Sequence, residues 1–126
     1  MMFDYDTDYF PPAPVVELTF SSAVTDSSTP QLRAFVDSGA DATIVPKSIL
    51  DEIQATFADD AYLRSQWGER RRVRLYVVDV RIGEWTLPGV TIVGDERSSE
   101  LIVGRDVLNR LRVLLDGPAL HVHVST

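Results

Sequence analysis

From Val73 to Ile82 apolar and polar side chains alternate, with Val73, Leu75 and Val77 set against Arg72, Arg74 and Tyr76. A period of two sends successive side chains to opposite faces of an extended strand. Short segments of the same kind recur at Val15–Phe20, Leu32–Val36, Ala42–Val45, Trp85–Val93 and Leu101–Val103, the fourth broken near Pro88-Gly89. At the C-terminal end Leu120, Val122 and Val124 are expected on one strand face. Ser21–Pro30, rich in Ser, Thr and Asp, reads as a loop or hairpin turn. Helical spacing is confined to two stretches. In Ser48–Phe57 the residues Ile49, Leu50, Ile53 and Phe57 share a face, with Ser48 as N-cap and Asp51 in a capping-box place. In Asp106–Val113 the face is Val107, Leu108 and Leu111, and Asp116-Gly117-Pro118 stops the pattern. Many short strands with two short helices predict a mainly β chain, a small barrel or a sandwich decorated by helix.

A length of 126 residues suits one domain. Residues 1–14 read as an acidic, proline-rich arm, and residues 15–126 as the domain. Pro11, Pro12 and Pro14 exclude helix and central strand from the end of that arm. The net charge is −7, which argues against a nucleic-acid partner. There is no cysteine, so disulfides, thiolate metal sites and cysteine nucleophiles are excluded together. No apolar run reaches the roughly 18 residues of a membrane span, so no membrane partner is expected. Met1-Met2-Phe3-Asp4 lacks the basic and apolar regions of a signal peptide, and a cytoplasmic location is expected.

The chemistry concentrates in Phe35-Val36-Asp37-Ser38-Gly39-Ala40-Asp41-Ala42-Thr43. An apolar strand runs straight into Asp-Ser-Gly, and Gly39 permits a tight turn. Backbone N–H groups of such a turn can hold the Asp37 carboxylate ionised. On these residues alone the stronger reading is an ordinary turn, in which Asp37 and Ser38 bond the local backbone.

A second element changes that balance. Leu101-Ile102-Val103-Gly104-Arg105-Asp106-Val107-Leu108 is an apolar strand, a glycine, an Arg-Asp pair and a helix start. Taken together, in this order and at this separation, the two segments resemble the retropepsin-like aspartic proteases, the family of the retroviral proteases. The resemblance implies a small closed β-barrel with two short helices, one before the flap region and one near the C-terminus. It implies an aspartic endopeptidase acting on a peptide or protein substrate, with no cofactor. By it, Asp37 matches the catalytic aspartate. Ser38, Gly39 and Ala40 match the active-site turn. Asp41 and Arg105 match an ion pair near the dimer interface, where the aspartate also contacts substrate main chain. Gly104 and Asp106 match the turn and helix start. The chain termini are expected to interleave into an interface sheet.

The chain departs from that family in its flap, which elsewhere is a glycine-rich hairpin. The corresponding segment, Leu63–Arg72, is basic and has one glycine. The flap tip is expected at Trp67 and Gly68; a solvated loop is the plainer reading of the same residues.

Hydrolysing a neutral peptide bond in this way needs two carboxylates sharing one proton, one acting as base toward water and one as acid toward the carbonyl. The chain has one Asp-Ser-Gly, and Asp106 lacks a hydroxyl-glycine turn. The expected arrangement is a homodimer that pairs Asp37 with its symmetry mate. The alternative is a non-catalytic binding or assembly module on the same fold, a reading that the unusual flap favours.

Other candidates carry less. His121 and His123 at i, i+2 could touch one metal, but no spacing supplies further ligands, so no metal site is expected. Asp4, Asp6 and Asp8 lack the glycine and glutamate of a calcium loop. Arg70-Arg71-Arg72 with Arg74 reads as a solvated strand face that could attract acidic substrates or pair with the acidic arm. Ser38 has no nucleophile-elbow context.

Overall fold

The computed structural model describes residues 1–64 and 67–126. The elements run β1 (Met2–Asp4), β2 (Val15–Ser22), β3 (Leu32–Val36), β4 (Ile44–Pro46), α1 (Lys47–Glu52), β5 (Thr56–Arg64), β6 (Arg70–Ile82), β7 (Trp85–Asp95), β8 (Ile102–Val103), α2 (Arg105–Leu108), β9 (Arg112–Asp116) and β10 (His121–Ser125). Six strands close into a ring in the order β2-β3-β8-β4-β7-β6, and β6 returns to β2. The chain is a mainly β closed barrel with two short helices, one before the β5–β6 hairpin and one near the C-terminus. Among the described residues no helix is long and apolar enough to cross a membrane.

The ring encloses one core. Leu18, Phe20, Leu50, Val78, Val80, Ile92, Val103 and Val107 are all essentially inaccessible. Each such side chain contributes about 1.5–3 kcal/mol relative to exposure. In β6 the alternation serves two surroundings. Tyr76, Val78, Val80 and Ile82 turn into the barrel, whereas nearer the tip Val73 is the buried residue. The face expected from Val73, Leu75 and Val77 is therefore the core face only of the projecting half. That half leaves the barrel with β5 and covers a groove instead.

Both helices are shorter than their periodicity suggests. The first ends at Glu52, and Gln54 takes φ 55° beyond it, which breaks the helix before Phe57 joins β5. Its N-cap is Pro46, not Ser48, and Asp51 bonds Lys47 at 2.8 Å. The second is one turn of four residues, and Val113 belongs to β9, where it pairs with Val124 of β10. A ladder with β10 satisfies that backbone and overrides weak helical propensity. Leu120 sits in the preceding turn at φ 56°, off the face that buries Val122 and Val124.

A second sheet joins the ends of the chain, in the order β1-β10-β9. Met2 pairs with His123 and Asp4 with His121, and Phe3 is buried beneath. The terminal ammonium donates to Val124 O at 3.1 Å. Within residues 1–14, Asp6 bridges to Ala13 and takes an ion pair from Arg33 at 3.0 Å.

Candidate active site

β3 and β8 lie side by side and parallel, with Phe35 opposite Ile102 and Val36 opposite Val103. The two segments singled out in the sequence are thus neighbours in the ring. Asp37 N donates to Val103 O at 3.0 Å, so the ladder continues one residue past the strand and fixes where the turn begins. Asp37, Ser38 and Gly39 are exposed. Gly39 N donates to Asp37 Oδ1 at 2.9 Å, which orients the carboxylate, and Ala40 N donates to Asp37 O at 3.2 Å, which closes the turn. A Cβ at Gly39 would lie 3.1 Å from that same carboxylate oxygen.

The turn is held from the α2 side. Arg105 N donates to Ala40 O at 2.9 Å. The Arg105 guanidinium donates from Nη1 to Ser38 O at 2.7 Å and from Nη2 to Asp41 Oδ1. One planar fork thereby spans both ends of the turn, a task suited to arginine's rigid donor geometry. Beneath it, Gly104 has no room for a side chain, because a Cβ there would lie 2.5 Å from Ala42 O.

Thr43, at 0% exposure, ties the two segments together. Its hydroxyl donates to Asp106 Oδ1 at 2.7 Å and accepts from Gly104 N at 3.1 Å. Its backbone N–H also donates to the Asp106 carboxylate, at 3.0 Å to Oδ2. Asp106 takes a further bond from Val107 N at 2.8 Å, at the start of α2. The role of Thr43 escaped the sequence reading. The only signal was a hydroxyl residue at the entry of an apolar strand.

A groove of about 910 Å³ separates the turn from the β5–β6 hairpin. Ala40, Asp41 and Ala42 line one wall, Tyr62 and Leu63 the other, and Ile44, Leu75 and Val93 give it an apolar lining. The segment expected to carry the flap, Leu63–Arg72, is the outer end of this hairpin, which has eight Cα partners from Thr56↔Val77 to Arg64↔Arg70. Trp67, 82% exposed, and Gly68, at φ 83°, lie at its tip. Ser65 and Gln66, within the same expected segment, lie outside the described residues. Near the tip of the hairpin, where it stands opposite Leu63, Arg71 bonds Asp95 of β7 at 2.5 Å, and Asp95 is 4% exposed. The Arg71 guanidinium, with Arg97 N as a second donor, holds the Asp95 carboxyl below its ordinary value against the opposing effect of burial. Nothing in the sequence pairs residues so far apart.

His121 and His123 stand with ring centroids 6.2 Å apart, and His121 Nε2 lies 3.2 Å from Asp4 Oδ1. Among the described residues no group of three or more His, Cys, Asp and Glu side chains could hold a metal ion. The Asp4–Asp8 arm meets His121 and Arg33, not the arginines of β6.

The protein family described as "gag-polyprotein putative aspartyl protease" matches residues 27–110, which span both strand–turn segments and the hairpin between them. The chain belongs to this family. As an aspartyl-protease family member it is also similar in fold to solved retroviral enzymes. One is an EIAV protease complexed with the inhibitor HBY-793, 14% identical, with a TM-score of 0.59 over 78% of this chain and 86% of that one. Another is the simian foamy virus (mac) protease in solution, 14% identical, with a TM-score of 0.52 over 75% of this chain and 91% of that one. No curated protein matches the sequence.

Proposed function

We propose that the protein is an aspartic endopeptidase whose water is activated between Asp37 and the same residue of a second copy. The observation that carries this reading is the state of the carboxylates around the turn. Asp41 is engaged by Arg105 and Asp106 by Thr43, while Asp37 is exposed and oriented by Gly39 N–H. One carboxylate can accept a proton from water but cannot also donate one to the developing oxyanion. A pair sharing a proton does both, and the pair titrates as a unit. The two-fold axis of a homodimer supplies the second member without a second motif.

In this reading the peptide lies in the groove between Ala40–Ala42 and the hairpin. Ser38 and Gly39 frame the dyad, Asp41 meets substrate main chain, Arg105 holds the turn, and Trp67 and Gly68 close over the bound chain. The residues need no cofactor for this chemistry. A binding or assembly module is the second reading, favoured by a hairpin tip that has one glycine and a cluster of arginines. Peptide cleavage between pH 4 and 6, by wild type and Asp37→Asn, separates the two. Cutting that vanishes in the variant supports the protease, and its absence from wild type overturns it.

A further inference from the structure

The groove is far more basic than the chain that builds it. Arg64, Arg70, Arg71, Arg72 and Arg97 line it against Asp41 and Glu69, in a chain of net charge −7. Part of that charge is already answered. Arg71 is paired with buried Asp95, Arg72 with Asp60 at 2.6 Å, and Asp41 with Arg105. Arg64, Arg70 and Arg97 are exposed and make no ion pair among the described residues. Arg70 rests over the Tyr62 ring at 4.8 Å, a stacking that leaves the guanidinium edge able to donate.

Two features make this more than a solvated strand face. Arg64 and Arg70 are direct cross-strand partners, and like charges placed opposite each other cost stability in a sheet. Beyond the stacking of Arg70 on Tyr62, no contact among the described residues offsets that juxtaposition. The acidic arm does not meet these arginines in the structure, since Asp4 lies against His121 and Asp6 is paired with Arg33. The groove therefore presents three exposed guanidiniums for which no ion pair is seen among the described residues.

We propose that the groove takes an acidic peptide, in which Asp or Glu side chains a few residues from the scissile bond are read by Arg64, Arg70 and Arg97. This rests on the protease reading. The apolar residues Ile44, Leu75 and Val93 suit an apolar side chain near the bond, and the arginines toward the hairpin suit carboxylates farther along. Interaction across a water-filled groove mouth is screened by salt, so the preference depends on ionic strength.

The test incubates the full chain at pH 5, where peptide carboxylates are largely ionised, with a random-sequence peptide pool, and sequences the products by mass spectrometry. Cuts absent from Asp37→Asn define the Asp37-dependent set. Within four residues of those cuts we expect Asp and Glu to be enriched about fivefold. The enrichment should collapse in the Arg64→Gln/Arg70→Gln/Arg97→Gln triple variant and at 0.5 M NaCl, and survive in the matching triple of lysines. Acid frequencies equal to those of the pool, or enrichment that persists in the glutamine triple, overturn the proposal. If no cut depends on Asp37, the protease reading falls and binding decides the inference by itself. Fluorescence anisotropy of Asp37→Asn then compares a labelled Asp/Glu-rich decapeptide with its Asn/Gln counterpart and with a single-stranded oligonucleotide. Tighter binding of the acidic peptide by about tenfold, lost in the glutamine triple, upholds the acidic groove. Equal peptide binding, or preference for the oligonucleotide, overturns it.

Discussion

Thr43 and Asp106 are joined twice, hydroxyl to carboxylate at 2.7 Å and backbone N–H to the same carboxylate at 3.0 Å. Thr43 is fully buried and also satisfies Gly104 N–H, so the contact underlies both halves of the candidate active site. Thr43→Val keeps the shape but removes the hydroxyl. It leaves Gly104 N–H without a partner inside the protein and removes the shortest of the three hydrogen bonds to Asp106 Oδ1. The expected loss is about 2–3 kcal/mol of stability, measured by urea unfolding. Thr43→Ser should recover most of it.

Asp37→Asn is expected to behave oppositely. The side chain is exposed, and asparagine Oδ1 can still accept from Gly39 N–H. Unfolding free energy should stay within about 0.5 kcal/mol of wild type, as for surface substitutions. Peptide cleavage should fall by at least about a hundredfold, the lower range for loss of a general acid–base group.

The contrast between these two residues shows what was legible in the sequence. Asp37 sits in a local pattern, an apolar strand ending in Asp-Ser-Gly, and local patterns are written in consecutive residues. So was β3, whose bounds match; the parallel pairing of β3 with β8 was not, because its partners lie in segments far apart in the chain. Thr43 acts through a partner 63 positions away, and Asp95 through one 24 away. No window of sequence contains either pair. β5 was missed for a different reason. Its residues Thr56–Arg64 are mostly exposed on both faces, so they carry no alternation, and the strand exists because β6 offers it a ladder. Arg112 and Val113, the start of β9, read as the end of a helix because Val107, Leu108 and Leu111 have helical spacing, until pairing with β10 decides otherwise.

Arg105→Lys tests the fork. The guanidinium reaches Ser38 O and Asp41 together, which one ammonium cannot do in the same geometry. The ion pair is exposed, so stability should change by less than about 1 kcal/mol. Cleavage is expected to drop about tenfold or more in kcat/KM, because the turn bearing Asp37 is no longer clamped. Matched loss of activity and stability would place Arg105 in the fold alone.

Asp95 sets an acid limit. Its carboxyl titrates below the ordinary 3.8 because Arg71 donates to it. A depressed carboxylate stabilises the fold above its unfolded value and loses that contribution as pH falls through the folded one. The pair should therefore persist throughout pH 4–6 and weaken only below the ordinary value. Asp95→Asn should cost about 2 kcal/mol at pH 6, discounted for the partial exposure of Arg71, and progressively less as the pH is taken below 3.8. A constant difference across that range would contradict the assignment.

A dyad shared between two copies makes specific activity concentration-dependent. On dilution below the dimer dissociation constant, activity per milligram should fall, and sedimentation should show the monomer appearing over the same range. Dilution is a cleaner measurement than deleting residues 119–126, which would also strip β1 of its partner strand. Full specific activity from a sedimenting monomer would end the dyad proposal.

The pairing of Phe35 with Ile102 has a kinetic corollary. Sixty-seven positions separate these partners, although their strands are adjacent in the ring order. Closing so long a loop is entropically slow, and contacts of this range form late when folding proceeds from local structure. The β5–β6 hairpin, by contrast, is local and can assemble early. Until β8 docks beside β3, Asp37 N has no carbonyl to anchor it and Arg105 has no turn to grip. A nascent or partly folded chain thus carries Asp37 before the contacts from β8 and α2 that hold its turn are in place, so on the protease reading the site is completed only when the ring shuts.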